Sequence, residues 1–209
     1  MACTGRDHKS TALAIQRCTE KASFKNIVIF TNDASEFKRM DFDLLERVEY
    51  IDAGPWEDWE ELSVFGLTEI PKYANLYGTH VLGVHWDGFI VNQAAWNDSW
   101  LQYDYIGAAW PDGVVGNNGF CLVSQRYFSA VQQLGLRPTV EDCHPGDAMV
   151  CRTAWRHKKC HRIDMEQAGV RFAPLGVAKA FSVENEEYTS SFGFHGEFTL
   201  ISAFKKGKL

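Results

Sequence analysis

The segment His80-Val-Leu-Gly-Val-His-Trp-Asp-Gly88 decides how the chain folds, because an apolar run stops abruptly at an aspartate and a glycine. The run at 81–84 predicts a buried strand, and Asp87-Gly88 is a strong turn signal. The Asp87 carboxylate is therefore expected at the carboxyl end of a central strand, the edge where open α/β sheets bind ligands and metal ions. The other interpretation is that Asp87 only caps the turn, and this segment alone leaves both open.

Helix and strand patterns alternate on both sides of this segment. Strands are predicted at 26–31, 48–51, 80–86, 105–108, 120–123 and 170–174. Helices are predicted at 10–22 with Ser10 as the N-cap, at 43–46, near 69–77, and at 95–101, 124–134 and 145–169. The stretch 55–61 opens a loop or a helix, and the tail from 175 is expected to be mostly irregular. This alternation is typical of a three-layer α/β domain with a mostly parallel central sheet.

Length and composition point to one globular domain over residues 1–209, with 45% hydrophobic and 23% charged residues. Polar residues follow Met1 almost at once, so the first strand is either very short or truncated. The chain has no run of about 18 apolar residues, so no membrane span is predicted. The amino-terminal segment lacks the apolar core of a signal peptide, which makes a cytoplasmic location the expectation.

The net charge of −6 argues against a broad nucleic-acid surface, because phosphate binding needs concentrated lysine and arginine. The basic segment Arg152-Thr-Ala-Trp-Arg-His-Lys-Lys-Cys-His-Arg162 is a local exception. Two hypotheses remain for it: a solvated helix face, or contact with a phosphate-bearing substrate or an acidic partner. The six cysteines form no CxxC pair, and their spacing fits no standard zinc site, so reduced free thiols are expected.

Polar clusters fall where the predicted strands end, at 4–7, Asp87, Glu141-Asp142 and His195. A divalent cation needs hard oxygen ligands, and histidine is a common additional ligand for manganese-like ions. Asp87 and His195 are therefore candidate ligands of one ion, although a histidine between aromatic residues, as His195 is, is more often structural when taken alone. Glu141-Asp142 is either a helix-capping pair or the source of a general base. The glycine loop at 116–119 has no Walker A lysine and no GxGxxG, which disfavours P-loop and Rossmann nucleotide sites.

The order of these motifs resembles a family of poorly characterised GT-A-like glycosyltransferase domains. The resemblance covers about 60–196 and rests on the number and order of its segments, each of which is unspecific alone. They are 79–89, Trp96, YDYIGAAW at 103–110, VGNNGF at 115–120, Glu141-Asp142, 169–174, 180–184 and FGFHG at 192–196.

The resemblance implies a GT-A-like three-layer α/β/α sandwich and a nucleotide-sugar-dependent transferase that uses Mn²⁺ or Mg²⁺. In such enzymes a DxD-like element holds the ion, which grips the donor diphosphate, and a UDP-sugar is the expected donor. Here that element is His85-Trp86-Asp87, so only the last acid is present and Asp87 is the direct ligand. His195 corresponds to the carboxyl-terminal histidine ligand. Glu141-Asp142 corresponds to the acidic pair that supplies the base in inverting members, and Asp142 is favoured.

The resemblance also implies roles for residues around the ion. The donor-binding residues are expected to be Thr4, Arg6, Asn32, Trp86 and Asp87. The acceptor and sugar pocket is expected to be formed by Trp110, Asn118, Gly119 and Phe120. Asn118 stands where a second glycine is usual in the loop, a departure that reshapes the acceptor pocket.

Three functional hypotheses follow. The leading one is an inverting, metal-dependent glycosyltransferase that acts on an acceptor hydroxyl of unknown identity, such as a glycan. The second is a non-catalytic glycan- or partner-binding module on a transferase scaffold, which the incomplete DxD element favours. The third is a glycosyltransferase that acts on modified bases of DNA, for which the basic segment is the supporting feature.

Overall fold

The computed structural model describes residues 2–4, 7–39, 48–74, 78–136, 145–156 and 158–209. The strands are β1 (Ala2–Thr4), β2 (Ile27–Thr31), β3 (Val48–Asp52), β4 (His80–Val84), β5 (Tyr105–Ile106), β6 (Phe120–Ser124), β7 (Ala154–Trp155), β8 (Lys158–Lys159), β9 (Ser182–Glu184) and β10 (Gly193–His195). The α-helices are α1 (His8–Lys21), α2 (Ala34–Arg39), α3 (Trp59–Thr68), α4 (Ile70–Ala74), α5 (Gln125–Gln133), α6 (Gly146–Cys151), α7 (Arg162–Gln167), α8 (Leu175–Phe181) and α9 (Glu197–Lys205).

A six-stranded sheet in the order β3-β2-β1-β4-β6-β5 organises the fold. Strands β3, β2, β1 and β4 pair in parallel, whereas β6 is antiparallel to both β4 and β5. The α/β class is confirmed, and the sheet is mixed at the β6 end. A loop joins β5 to β6, and an antiparallel neighbour needs no helical crossover. This reversal places the start of β6 beside the end of β4, with Phe120 opposite Val84.

Helices cover both faces of the sheet, and alternate residues of β2 show this directly. Val28 and Phe30 pack in one cluster with residues of α4 and α5, including Ile70. Ile27 and Ile29 point the other way and pack with residues of α1 and α2. Because successive strand side chains point to opposite faces, the buried strand β2 packs against the helices on both sides of the sheet. Within the described residues, no helix is both long enough and apolar enough to cross a membrane.

The prediction of one long helix over 145–169 is wrong. Helix α6 ends at Cys151, a β7–β8 hairpin follows, and α7 begins at Arg162. Arg156 has a φ of 43°, in the left-handed region, which a continuous helix does not allow. Arg152 is buried, with its guanidinium 4.2 Å from the Trp110 ring and 4.5 Å from the Trp155 ring. The basic segment is therefore not a solvated helix face.

The tail from 175 is also more ordered than its sequence indicates, since it contains α8, β9, β10 and α9. Strands β9 and β10 pair in parallel, and Phe181, Phe192 and Phe194 are buried beside them. Three-residue strands are too short to show a periodic pattern, so they were missed. The predicted strand at 170–174 is reduced to a bridge between Phe172 and Tyr105.

Smaller differences concern element ends. Helix α1 begins at His8, before the predicted cap Ser10, and 3₁₀ turns at Gln93–Ala95 and Asp98–Gln102 replace the helix predicted at 95–101. A full helix, α3, precedes the one predicted near 69–77, which is α4. The short helix predicted at 43–46 lies outside the described residues.

Candidate active site

The turn after β4 places the Asp87 side chain at the carboxyl edge of the sheet. As the chain leaves β4, the His85 amide donates to the Gly119 carbonyl at 2.8 Å, and the Gly88 amide donates to the His85 carbonyl at 3.2 Å. The Gly196 amide donates to the backbone carbonyl of Asp87 at 3.0 Å. This last bond joins the β4 turn to the end of β10, which carries His195.

The polar side chains at this edge form a compact cluster. His195 Nε2 lies 3.3 Å from Asp87 Oδ1, and His195 Nδ1 lies 3.0 Å from Glu184 Oε1. The ring of His85 approaches the ring of His195 edge-on, with 5.8 Å between their centroids. One potential ligand atom from each of His85, Asp87 and His195 lies within 4.8 Å of the others. The structure thus brings together the two residues that the sequence singled out and adds His85 and Glu184.

The position of His195 between two carboxylates requires a positive charge. A neutral imidazole that donates from Nδ1 to Glu184 presents a lone pair at Nε2, directly facing the Asp87 oxygen. Either a proton or a metal cation must therefore lie between these two atoms. Burial alone would lower the pKa of His195, but the hydrogen bonds to Asp87 and Glu184 outweigh it and raise the pKa to about 9.

The neighbouring groups have the protonation states that metal binding needs. Burial and the charge of His195 lower the pKa of His85 to about 4, so its imidazole is neutral and keeps a lone pair. Burial would raise the pKa of the Asp87 carboxyl, but the hydrogen bond from His195 lowers it below its ordinary value. A carboxylate, a neutral imidazole and a second imidazole backed by Glu184 form a donor set that fits a divalent cation.

A cavity of about 470 Å³ adjoins this cluster. Its polar lining residues include His85, Asn117, Asn118, Asp147 and His195. Gly119 lines it as well, and apolar residues such as Leu67, Ile70 and Phe128 form much of the remaining wall. The volume is in the range of small-ligand sites.

Gly119 has no side chain, and the His195 ring occupies the space where a Cβ atom would be. A Cβ atom at position 119 would lie 1.8 Å from His195 Nε2, far inside contact distance. Asn117, two residues earlier, has a φ of 64°, a left-handed conformation that asparagine tolerates. Its side-chain oxygen accepts a hydrogen bond from the Gly119 amide at 3.1 Å. The loop before β6 is thus held against the histidine.

Asp147, on the first turn of α6, is the functional candidate that the sequence interpretation missed. Its Oδ1 accepts from the Ala148 amide at 2.7 Å, and its Oδ2 accepts from the Asn118 amide at 3.3 Å. Burial raises the pKa of its carboxyl, against the lowering effect of these two amides. The sequence feature that could have identified Asp147 is an aspartate directly at the start of a predicted helix. The residues favoured instead, Glu141 and Asp142, lie outside the described residues.

The predicted donor residues lie along the same sheet edge. Thr4 ends β1 and is buried, Asn32 follows β2 directly, and Trp86 is 38% exposed on the β4 turn. The Asn32 side-chain oxygen lies 3.2 Å from His8 Nε2. Because β1, β2 and β4 are parallel, their carboxyl ends meet here. Arg6 lies outside the described residues.

The four predicted acceptor-pocket residues separate into two groups. Gly119 and Asn118 line the cavity, and the Asn118 side-chain oxygen accepts from the Tyr105 hydroxyl at 2.9 Å. Phe120 is fully buried and stacks on Phe181, with 5.2 Å between centroids. Trp110 packs against Gly116 and the Arg152 guanidinium. Phe120 and Trp110 are not among the residues that line the cavity.

Comparison with solved structures shows a shared fold. The chain is similar to a structure titled "crystal structure of a glycosyltransferase involved in the glycosylation of the major capsid of PBCV-1", with a TM-score of 0.51 and 10% sequence identity. The match covers 100% of this chain and 98% of the viral protein. The protein therefore has a glycosyltransferase-like α/β fold.

Sequence comparison gives the family. No curated protein sequence matches the chain. The family described as "Protein of unknown function (DUF5672)" matches residues 47–195, a range that contains Asp87, Asp147, Glu184 and His195. Since this match spans more than half of the 209 residues, the protein belongs to the DUF5672 family.

Proposed function

We propose that the protein is a metal-dependent glycosyltransferase that moves a sugar from a nucleotide-diphosphate-sugar donor to an acceptor hydroxyl, with inversion. The observation that carries the proposal is the Asp87–His195 pair, with 3.3 Å between Oδ1 and Nε2, at the carboxyl edge of β4. His195 of this pair lines a cavity whose wall also contains Asp147. The glycosyltransferase-like fold supports the same class of reaction.

Asp87 and His195 would hold the divalent ion, Mn²⁺ or Mg²⁺. The bound ion would supply positive charge that stabilises the departing diphosphate. Glu184 accepts from His195 Nδ1 and so keeps Nε2 directed toward Asp87. A carboxylate behind a metal-binding histidine fixes the tautomer and raises the basicity of the ligand.

Asp147 would act as the general base. As the acceptor oxygen bonds to the anomeric carbon, the bond from that carbon to the diphosphate breaks, and the hydroxyl proton passes to the Asp147 carboxylate. Two backbone amides, of Ala148 and Asn118, hold the carboxylate in place in the cavity wall. A raised pKa makes this carboxylate a stronger proton acceptor than an exposed one. Asp142 and Glu141 remain sequence predictions for this role.

The donor would lie along the sheet edge formed by Thr4, Asn32, Trp86 and Asp87, and a UDP-sugar is the favoured donor. The acceptor, such as a glycan, would enter beside Asn118 and Gly119. Modified DNA is less favoured as the acceptor, because two of the three arginines of the basic segment form ion pairs within the protein. Arg152 pairs with Asp112, and Arg162 pairs with Glu166 at 2.6 Å. The cytoplasmic location stays a prediction of the sequence.

A panel of nucleotide-diphosphate sugars tests the proposal directly. With Mn²⁺ present and no acceptor, we expect slow hydrolysis of one donor, seen as release of free nucleoside diphosphate by chromatography. Chelation by EDTA should stop this release, and added Mn²⁺ should restore it. If the protein binds and hydrolyses none of these donors under either condition, the non-catalytic module becomes the better hypothesis.

Gly119→Ala is expected to weaken Mn²⁺ binding by about 10- to 100-fold, because the new Cβ would displace the His195 ring from its position beside Asp87. Isothermal titration calorimetry with MnCl₂ measures this affinity. Gly176→Ala is the matched control, since a Cβ at this helical position meets nothing within 4 Å. Equal Mn²⁺ affinity for Gly119→Ala and the unaltered protein would contradict the assignment of His195 as a ligand.

A further inference from the structure

We propose that His85 is the third protein ligand of the ion and that it makes the site select Mn²⁺ and other first-row transition cations over Mg²⁺. The inference rests on the proposed function, because it names the ion preference of the same site. Three observations support it: the separation of the donor atoms, the way each histidine is held, and the chemical nature of the donors.

The separations fit a single ion. Donor atoms about 2.1 Å from one cation lie about 3.0 to 3.4 Å apart for octahedral to tetrahedral angles. Asp87 Oδ1 and His195 Nε2 are 3.3 Å apart, within this interval. One ligand atom from each of His85, Asp87 and His195 lies within 4.8 Å of the others, so the His85 ring is close enough to join the pair around one ion.

Each histidine is held so that it can contribute a nitrogen. Glu184 accepts a hydrogen bond from His195 Nδ1, which leaves Nε2 for the ion. The backbone of His85 is fixed by its amide, which donates to the Gly119 carbonyl. Gly119 in turn lies against the His195 ring, so one loop contacts both the backbone of His85 and the imidazole of His195.

The donor types decide the preference. Mg²⁺ is bound mainly by carboxylate, phosphate and water oxygens in a near-ideal octahedron, whereas imidazole nitrogens suit transition cations. Two imidazoles and one carboxylate therefore favour Mn²⁺, Co²⁺ and Zn²⁺ over Mg²⁺, with affinity rising along that series. The remaining coordination positions stay open for oxygens of the donor diphosphate and water.

The test measures binding and ligand identity separately from catalysis. Titration calorimetry on the full chain should give an Mn²⁺ affinity at least about tenfold above that for Mg²⁺. Pulsed electron paramagnetic resonance of the Mn²⁺-loaded protein should detect two coordinated imidazole nitrogens. His85→Asp should leave one nitrogen and lower the Mn²⁺-to-Mg²⁺ affinity ratio by about tenfold or more.

His80→Asn, at the opposite end of β4, is the matched control and should keep both nitrogens and the same ratio. A single imidazole in the unaltered protein, or an unchanged ratio in His85→Asp, would overturn the inference. Two imidazoles without hydrolysis of any nucleotide sugar would leave the inference standing and count against the proposed function. Donor hydrolysis supported equally by Mg²⁺ and Mn²⁺, with one imidazole bound to Mn²⁺, would overturn the inference and support the proposed function.

Discussion

Asp147→Asn is expected to lower the rate of sugar transfer by about 100- to 10,000-fold, the usual contribution of a positioned general base. The amide is nearly isosteric with the carboxylate, and its oxygen can still accept from Ala148 or Asn118, but it cannot take the acceptor proton. Binding of the nucleoside diphosphate with Mn²⁺ should stay within about threefold, because Asp147 is outside the proposed ligand set. Steady-state transfer and calorimetric donor binding measure the two effects.

Asp98→Asn serves as the control for this substitution. Its side chain is exposed and accepts from the Trp96 indole, a role that an amide oxygen can also perform. The control should transfer sugar at the unaltered rate. If Asp147→Asn does so as well, Asp147 is not the base, and the acidic pair at 141–142 returns as the candidate.

Asp87→Ala is expected to abolish the dependence of donor binding on the cation. The substitution removes the single carboxylate of the proposed ligand set and leaves His195 Nε2 without the oxygen that now lies 3.3 Å away. Affinity for the nucleoside diphosphate in Mn²⁺ should fall by more than about 100-fold, to the level measured in EDTA. Calorimetric titrations with and without Mn²⁺ give both values.

Two checks accompany the Asp87 variant. A melting temperature measured in EDTA shows whether the fold survives, because the hydrogen bond between the Gly196 amide and the backbone carbonyl of residue 87 does not need the carboxylate. Asp164→Ala, which removes a partly exposed carboxylate on α7 that pairs with His161, should bind the nucleotide normally. Full Mn²⁺-dependent binding by Asp87→Ala would remove the metal assignment.

Asp147→Asn and Asp87→Ala together separate the roles of two neighbouring carboxylates. Asp147→Asn should affect turnover and spare donor binding, whereas Asp87→Ala should affect donor binding itself. If both variants lost only stability, the cluster would be a structural network around His195, Glu184 and Asp87 rather than a site.

Much of the scaffold could be predicted from local patterns. The apolar runs predicted β2, β4 and β6 to within a residue or two, since the side chains of β2 and β6 are buried and those of β4 are buried or half-buried. The Asp87-Gly88 turn signal also placed a carboxylate just beyond β4. The predictions failed where structure depends on partners distant in sequence. Arg152, buried between two tryptophan rings, interrupts what reads as one helix.

The sequence by itself determined which chemical groups stand at strand ends, because turn residues and hydrophobic periodicity are local properties of the chain. Only the tertiary structure decided that His195 meets Asp87, that Glu184 orients it, and that Asp147 shares the cavity. These contacts depend on the reversed direction of β6, the pairing of β9 with β10, and one hydrogen bond from Gly196 to Asp87. Each joins residues that are 11 or more positions apart in the chain, beyond the reach of a local pattern.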